Sequence, residues 1–361
     1  MRPLQSALRH GFPTARFLIA AVLILGGCKK DSVVDPFLPD GDRLVFLTEP
    51  TNAAAGVLIF PAVRVGIVDT AGNVVLRSGV DIQLYLNSTD LRDTLQGQTS
   101  VTTSFVVANF NLGLKRAPTT FRLIATARGL TGAQSAPFNI SVGPAAKLAF
   151  SVQPSNVVAG EIMLPKPTVV VQDALGNFVA NDSGLVVLQV FTGPGGSVPR
   201  NNAVTAAGGT AVFDSLRINT AAILYTLSAV GPSGRGLTSA VSSIFNVAAA
   251  APFFLRFSQQ PTASIKNVPF SPVMKVTVVD SMSNLASTFT GIVTLDWDFN
   301  PDGAVINGTA AVAAVGGVAT FNGISIDRPS TTSFKLRATS PTVGSATVPD
   351  TARSVFFQIF P

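Results

Sequence analysis

Of the 361 residues only 12% are charged, against the roughly 25% of an average soluble chain, and 25 Phe stand beside 2 Tyr and 1 Trp. So few Glu and Lys speak against a helical protein, and aromatics that are nearly all Phe suit apolar cores better than wet binding surfaces. The net charge of +6 suggests nucleic acid only until the charges are placed: removing Arg2, Arg9 and Arg16, which precede Cys28 with no acidic residue among them, leaves 22 basic residues against 19 acidic, and no arginine stripe interleaved with aromatics, so no nucleic-acid partner is expected.

The first element in chain order reads as a leader. Three arginines form a positive start, and Phe17 to Leu25 is an apolar run of nine residues, too short for a spanning helix of about 20. Leu25-Gly26-Gly27-Cys28 follows directly and resembles the lipobox of bacterial lipoproteins. The resemblance implies cleavage of residues 1–27 as a signal peptide and a covalent lipid on Cys28, so that the chain meets a membrane through its lipid anchor. Cys28 is the only cysteine; no intramolecular disulfide is possible, and lipidation accounts for the thiol. Lys29 stands where an aspartate would, in enteric bacteria, imply retention in the inner membrane, so the resemblance implies the outer membrane or the cell surface. Residues 28–42 carry charges and prolines without alternation and read as the lipidated cysteine and a disordered tether.

Beyond the tether one pattern occurs three times. Leu44-Val45-Phe46 with Pro50 recurs as Leu148-Ala149-Phe150 with Pro154 and as Leu255-Arg256-Phe257 with Pro261. Nineteen residues after each proline stands an aspartate, in Asp69-Thr70-Ala71-Gly72-Asn73, Asp173-Ala174-Leu175-Gly176-Asn177 and Asp280-Ser281-Met282-Ser283-Asn284. Phe110, Phe213 and Phe321 come next, then Phe121, Tyr225 and Phe334, and each unit closes on a strand containing Phe138, Phe245 or Phe357. The units run 43–142, 147–247 and 254–361. Within them apolar residues alternate, as at Val63, Val65 and Ile67, which is the period of half-buried strands. About seven such runs per unit, separated by Gly, Pro, Asn, Asp and Ser turns, predict a β-sandwich. Units of this size can bury a core without disulfides.

The ordered recurrence resembles the immunoglobulin-like repeats of bacterial surface proteins of the invasin and intimin type. It implies an all-β chain of three tandem immunoglobulin-like Greek-key β-sandwiches, serving as a structural, adhesive or display rod of the cell envelope. A ligand-binding surface lipoprotein that holds a glycan, peptide or calcium in its loops is the alternative, with loops between Leu185 and Gly209 and between Leu295 and Gly317. Gly143 to Ala146 and Ala248 to Phe253 form short linkers and predict limited bending.

His10, the only histidine, is lost with the leader, which removes Ser-His-Asp and Cys-His pairs and the common zinc sites. The scattered carboxylates single out no acid and base pair, and no enzyme activity is expected. Asp296, Asp298, Asn300 and Asp302 alternate as calcium ligands can, although Asn307 stands where a twelfth-position glutamate would close an EF-hand. Solvated strand positions and a turn compete with that reading. Asp69, Asp173 and Asp280 could be ligands between adjacent domains, but each reads first as a turn cap. Core packing is expected for Tyr85, Tyr225 and Trp297.

Overall fold

The computed structural model describes residues 41–105, 107–345 and 348–361; the expected signal peptide, Cys28 and the expected tether up to residue 40 lie outside them. All regular structure among these residues is β-strand. On Asp81–Leu86, Ile82 and Leu84 are buried while Gln83 faces water, as a period of two on a one-sided sheet requires. The same alternation turns Tyr85 outward, half exposed rather than in the core. Tyr225 is fully buried and Trp297 packs against the third core.

The middle unit shows the topology. One sheet takes Ala145–Val152, Thr168–Asp173 and Thr210–Val212 in that order; the facing sheet runs Val157–Val158, Phe245–Ala248, Ala222–Val230, Leu185–Thr192 and Ala203–Thr205. All pairings are antiparallel except Val157–Val158 with Phe245–Ala248, which is parallel. The first strand therefore leaves one sheet and joins the last strand of the other, as in an immunoglobulin-like Greek-key sandwich. The first and third units repeat the order, each with the same parallel pair. In all three a bulge interrupts the opening strand just before the buried Pro50, Pro154 or Pro261, where the missing proline N–H would leave a ladder incomplete.

Three hydrophobic clusters fill the sandwiches, spanning Leu44 to Ile140, Leu148 to Val247 and Leu255 to Ile359. The phenylalanine landmarks of the repeat meet inside them. Phe121 lies 6.3 Å from Phe138, Tyr225 5.6 Å from Phe245, and Phe334 6.1 Å from Phe357, ring centre to ring centre. Val142 packs against both the first and second clusters, and Met282 of the third unit packs against the second.

Two details depart from the expectation. Asp42, assigned to the tether, is buried and paired with Arg77 at 3.2 Å; its carbonyl accepts from Thr131 N–H, so the first sandwich begins with it. The predicted seven runs are cut into shorter strands. In the first unit Arg122 separates Thr119–Phe121 from Leu123–Thr126, and beside it the Oγ of buried Ser135 accepts from Leu123 N–H at 2.9 Å. Ser242 and Ser354 accept from Leu227 and Leu336 N–H in the same way, inside strands that run on unbroken over Ala222–Val230 and Lys335–Ser345.

Candidate functional site

Each Asp-x-x-x-Asn segment forms one turn. The fourth residue's N–H donates to the aspartate carbonyl at 3.0–3.1 Å, and the asparagine N–H donates to the aspartate Oδ1 at 2.8 Å, in all three units. The fourth residue has a positive φ, +88° at Gly72 and +96° at Gly176, the region glycine enters without cost. Ser283 holds the same conformation at +71°, and its Oγ accepts from Arg256.

In the second and third units the turn also bonds outside its own domain, which turn capping alone does not require. Asn177 donates through Nδ2 to the carbonyl of Lys115 at 2.7 Å and accepts at Oδ1 from Ala117 N–H at 2.9 Å. Asn284 repeats this one domain later, with Asn219 carbonyl at 2.7 Å and Ala221 N–H at 2.8 Å. Each asparagine thus bridges two backbone groups of the preceding sandwich. The aspartates complete the joint from the other side: Asp173 accepts from Gly143 N–H at 3.1 Å and Asp280 from Ala250 N–H at 2.9 Å, fixing the linkers. Apolar faces line the same joints, with Pro118, Val142, Pro144 and Phe178 around the first and Ala221, Val247 and Leu285 around the second.

Geometry makes these joints axial. Val63–Val68 ends at the Asp69 turn, and its antiparallel neighbour Val107–Phe110 leads toward Lys115 at the opposite end of the sandwich. A domain that offers its turn at one end and its 115–117 or 219–221 loop at the other joins its neighbours end to end.

Burial pushes the Asp173 carboxyl up, but hydrogen bonds from the Asn177 side chain and from the backbone of Asn177, Gly143 and Leu175 outweigh it, leaving it below the ordinary carboxylate range. Asp280 behaves alike: burial raises it, and Asn284, Ala250 and Met282 lower it further. A carboxyl that titrates lower in the folded state than in the unfolded chain stabilises folding fully above the unfolded value of about 3.9. That contribution disappears as the pH falls through the lowered folded value. Melting temperature and scattering length are therefore expected to stay flat down to about pH 4 and to fall together below it; a joint that loosens between pH 5 and 7 would contradict the assignment.

The calcium candidates lie on the far end and outer face of the third domain and do not form one group. Asp296 pairs with Arg337, and Asp298, half-buried, pairs with Arg353 at 2.9 Å and Lys335 at 3.4 Å. Asn300 closes its own turn onto Ala304. Asp302 accepts from the N–H of Thr331 at 3.0 Å and from its hydroxyl at 2.6 Å. Among the described residues no three of His, Cys, Asp and Glu converge on one point. The loop from Asn300 to Val305 does lie at the end of the third domain away from the second, since Asp302 and Val305 bond to the 327–331 loop.

Sequence comparison finds no matching family model and no matching curated protein. Solved structures similar to the chain include FdeC, an Escherichia coli adhesin, at 13% identity and a TM-score of 0.34, covering 90% of this chain and 98% of that one. Domains 1–6 of the surface layer protein SbsC match at 13% identity and a TM-score of 0.25, over 88% of this chain and 40% of that one. The FN1–FN3 domains of chicken CNTN1 match at 12% identity and 0.29, over 90% and 100%. The fold itself is carried by the strand order described above.

Proposed function

We propose that the chain is a lipid-anchored spacer of the cell envelope, fixed at its base through Cys28 and carrying three stacked sandwiches away from the bilayer. The observation that carries this reading is the joint: the same side-chain bridge recurs at both ends of the middle sandwich and ties both pairs of neighbours across short linkers. A stack of that kind resists bending because each joint is fixed from both the loop side and the linker side. The lipobox-like Leu25-Gly26-Gly27-Cys28 supports the anchor, and two or three acyl chains at about 0.8 kcal/mol per buried CH₂ hold far more firmly than one. Some thirteen tether residues reach up to about 45 Å if extended, enough to lift the base clear of the headgroups.

Cys28→Ala tests the anchor. Incorporation of labelled fatty acid and retention in the membrane fraction are both expected to disappear; a variant that stays in the membrane unlabelled would contradict it.

One observation favours a second reading, in which the rod presents a site for an envelope protein or glycan. Phe299 and Phe356, 45% and 59% exposed, meet edge to face at 6.0 Å on the third domain, with the Lys335 ammonium 5.2 Å above the Phe356 ring. A tight ligand found in an envelope-fraction or glycan screen, and lost on Phe299→Ala with Phe356→Ala, would replace the spacer reading with this one.

A further inference from the structure

The two joints share an apolar element besides the asparagine bridge. Two residues after the joint aspartate stand Leu175 and Met282, and each covers a glycine of the preceding domain. A Cβ on Gly56 would lie 2.9 Å from Leu175 Cδ1, and one on Gly160 would lie 2.8 Å from Met282 Sδ and overlap its methyl group. We propose that this knob and glycine socket set which domain ends can stack, and that the far end of the third domain is closed to a further module of the same kind.

The socket occupies one place in all three sandwiches. Gly56 N–H donates to Leu114 carbonyl at 2.7 Å, Gly160 N–H to Ile218 carbonyl at 2.9 Å, and Asn267 N–H to Ile326 carbonyl at 2.8 Å. The backbone is left-handed at each, with φ of +79°, +78° and +62°. Only the third carries a side chain, and asparagine is the residue that tolerates this conformation best after glycine. Its side chain takes the volume that a knob needs.

The polar half of the joint is missing there as well. Ala117 and Ala221, whose N–H groups bond the bridging asparagines, stand three residues after Leu114 and Ile218; three residues after Ile326 stands Pro329, which has no N–H to offer. At the opposite end of the stack the knob position of the first domain is Ala71, exposed, on a turn whose Asn73 bonds Asp69. Large knobs and open sockets thus occur only where two domains meet. The inference is independent of lipidation and rests on the joints alone.

Transplanting the end residues into the inner joint of the full chain tests it. Gly160→Asn places the third domain's residue in the second domain's socket, in the left-handed conformation that Asn267 already adopts, and Met282→Ala gives the third domain the first domain's short knob. Gly160→Asn is expected to leave the second domain's melting transition in place and to raise the rate of chymotrypsin cleavage in the 249–253 linker by about tenfold, since cleavage follows the open population. Adding Met282→Ala is expected to return cleavage toward wild type, because the short knob no longer collides with the filled socket. Met282→Lys, which alters only an exposed turn of the separated third domain, opens the joint without touching the second. Wild-type protection in both Gly160→Asn and Met282→Lys, or no rescue by Met282→Ala, would overturn the proposal.

Discussion

Asp280→Ala is expected to lower the unfolding free energy of the third domain by about 4 kcal/mol, and Asp69→Ala at the same turn of the first domain to cost clearly less. The two carboxylates cap the same turn, so the difference reports the burial and the linker bond that the joint gives Asp280. Asp280 is fully buried and accepts from Met282 N–H, Asn284 N–H, Asn284 Nδ2 and Ala250 N–H. Hydrogen bonds to a charged group contribute roughly 1.5–3 kcal/mol each, and the donors left behind regain water as the joint loosens, so the net loss falls below the roughly 6 kcal/mol that four such bonds would give at the least. Asp69 is more exposed and has no linker bond among the described residues. Urea unfolding of both variants checks the contrast; equal losses would confine the aspartate to its turn.

Phe321→Ala is expected to cost about 3–5 kcal/mol and to lower only the third domain's transition. Phe321 is 1% exposed inside a cluster of its own, and residues that reach across the joints, such as Val142, Leu175 and Met282, sit at the rims. The cavity therefore weakens one sandwich, and calorimetry should show its peak moving away from the other two. A single transition that moves as a whole would mean that the joints make the three domains one cooperative unit.

Most of the fold was legible because its signals are local. Alternation on Val63–Val68 and the recurrence of Leu-x-Phe-x-x-x-Pro follow from strand geometry and a repeated core, and the phenylalanine landmarks meet because equivalent strands carry them. The joint was half legible. Asp173 and Asp280 read correctly as turn caps, but the asparagine bridge ends on backbone atoms of residues 115, 117, 219 and 221, and a backbone N–H or carbonyl leaves no mark on the sequence. The signal that could have found it lies in a comparison across repeats: Gly56 and Gly160 against Asn267, and Leu175 and Met282 against Ala71. Tyr85 was misplaced by treating its ring as core by type, although its place one residue after Leu84 already turned it outward. The alternation of Asp296, Asp298, Asn300 and Asp302 suggested one calcium loop, whereas the strand carries Asp296 and Asp298 to cationic partners and the turn carries Asp302 to Thr331. Spacing alone does not show which neighbouring strand supplies Arg337 or Arg353.

The stacked rod is tested most directly by small-angle scattering from residues 29–361 beside the same residues carrying Asn177→Ala and Asn284→Ala. The intact joints predict one extended species with a narrow distribution of lengths for three domains in line, and a shorter, broader distribution once both bridges are cut. Matching broad profiles for the two proteins would contradict a rod held by these joints.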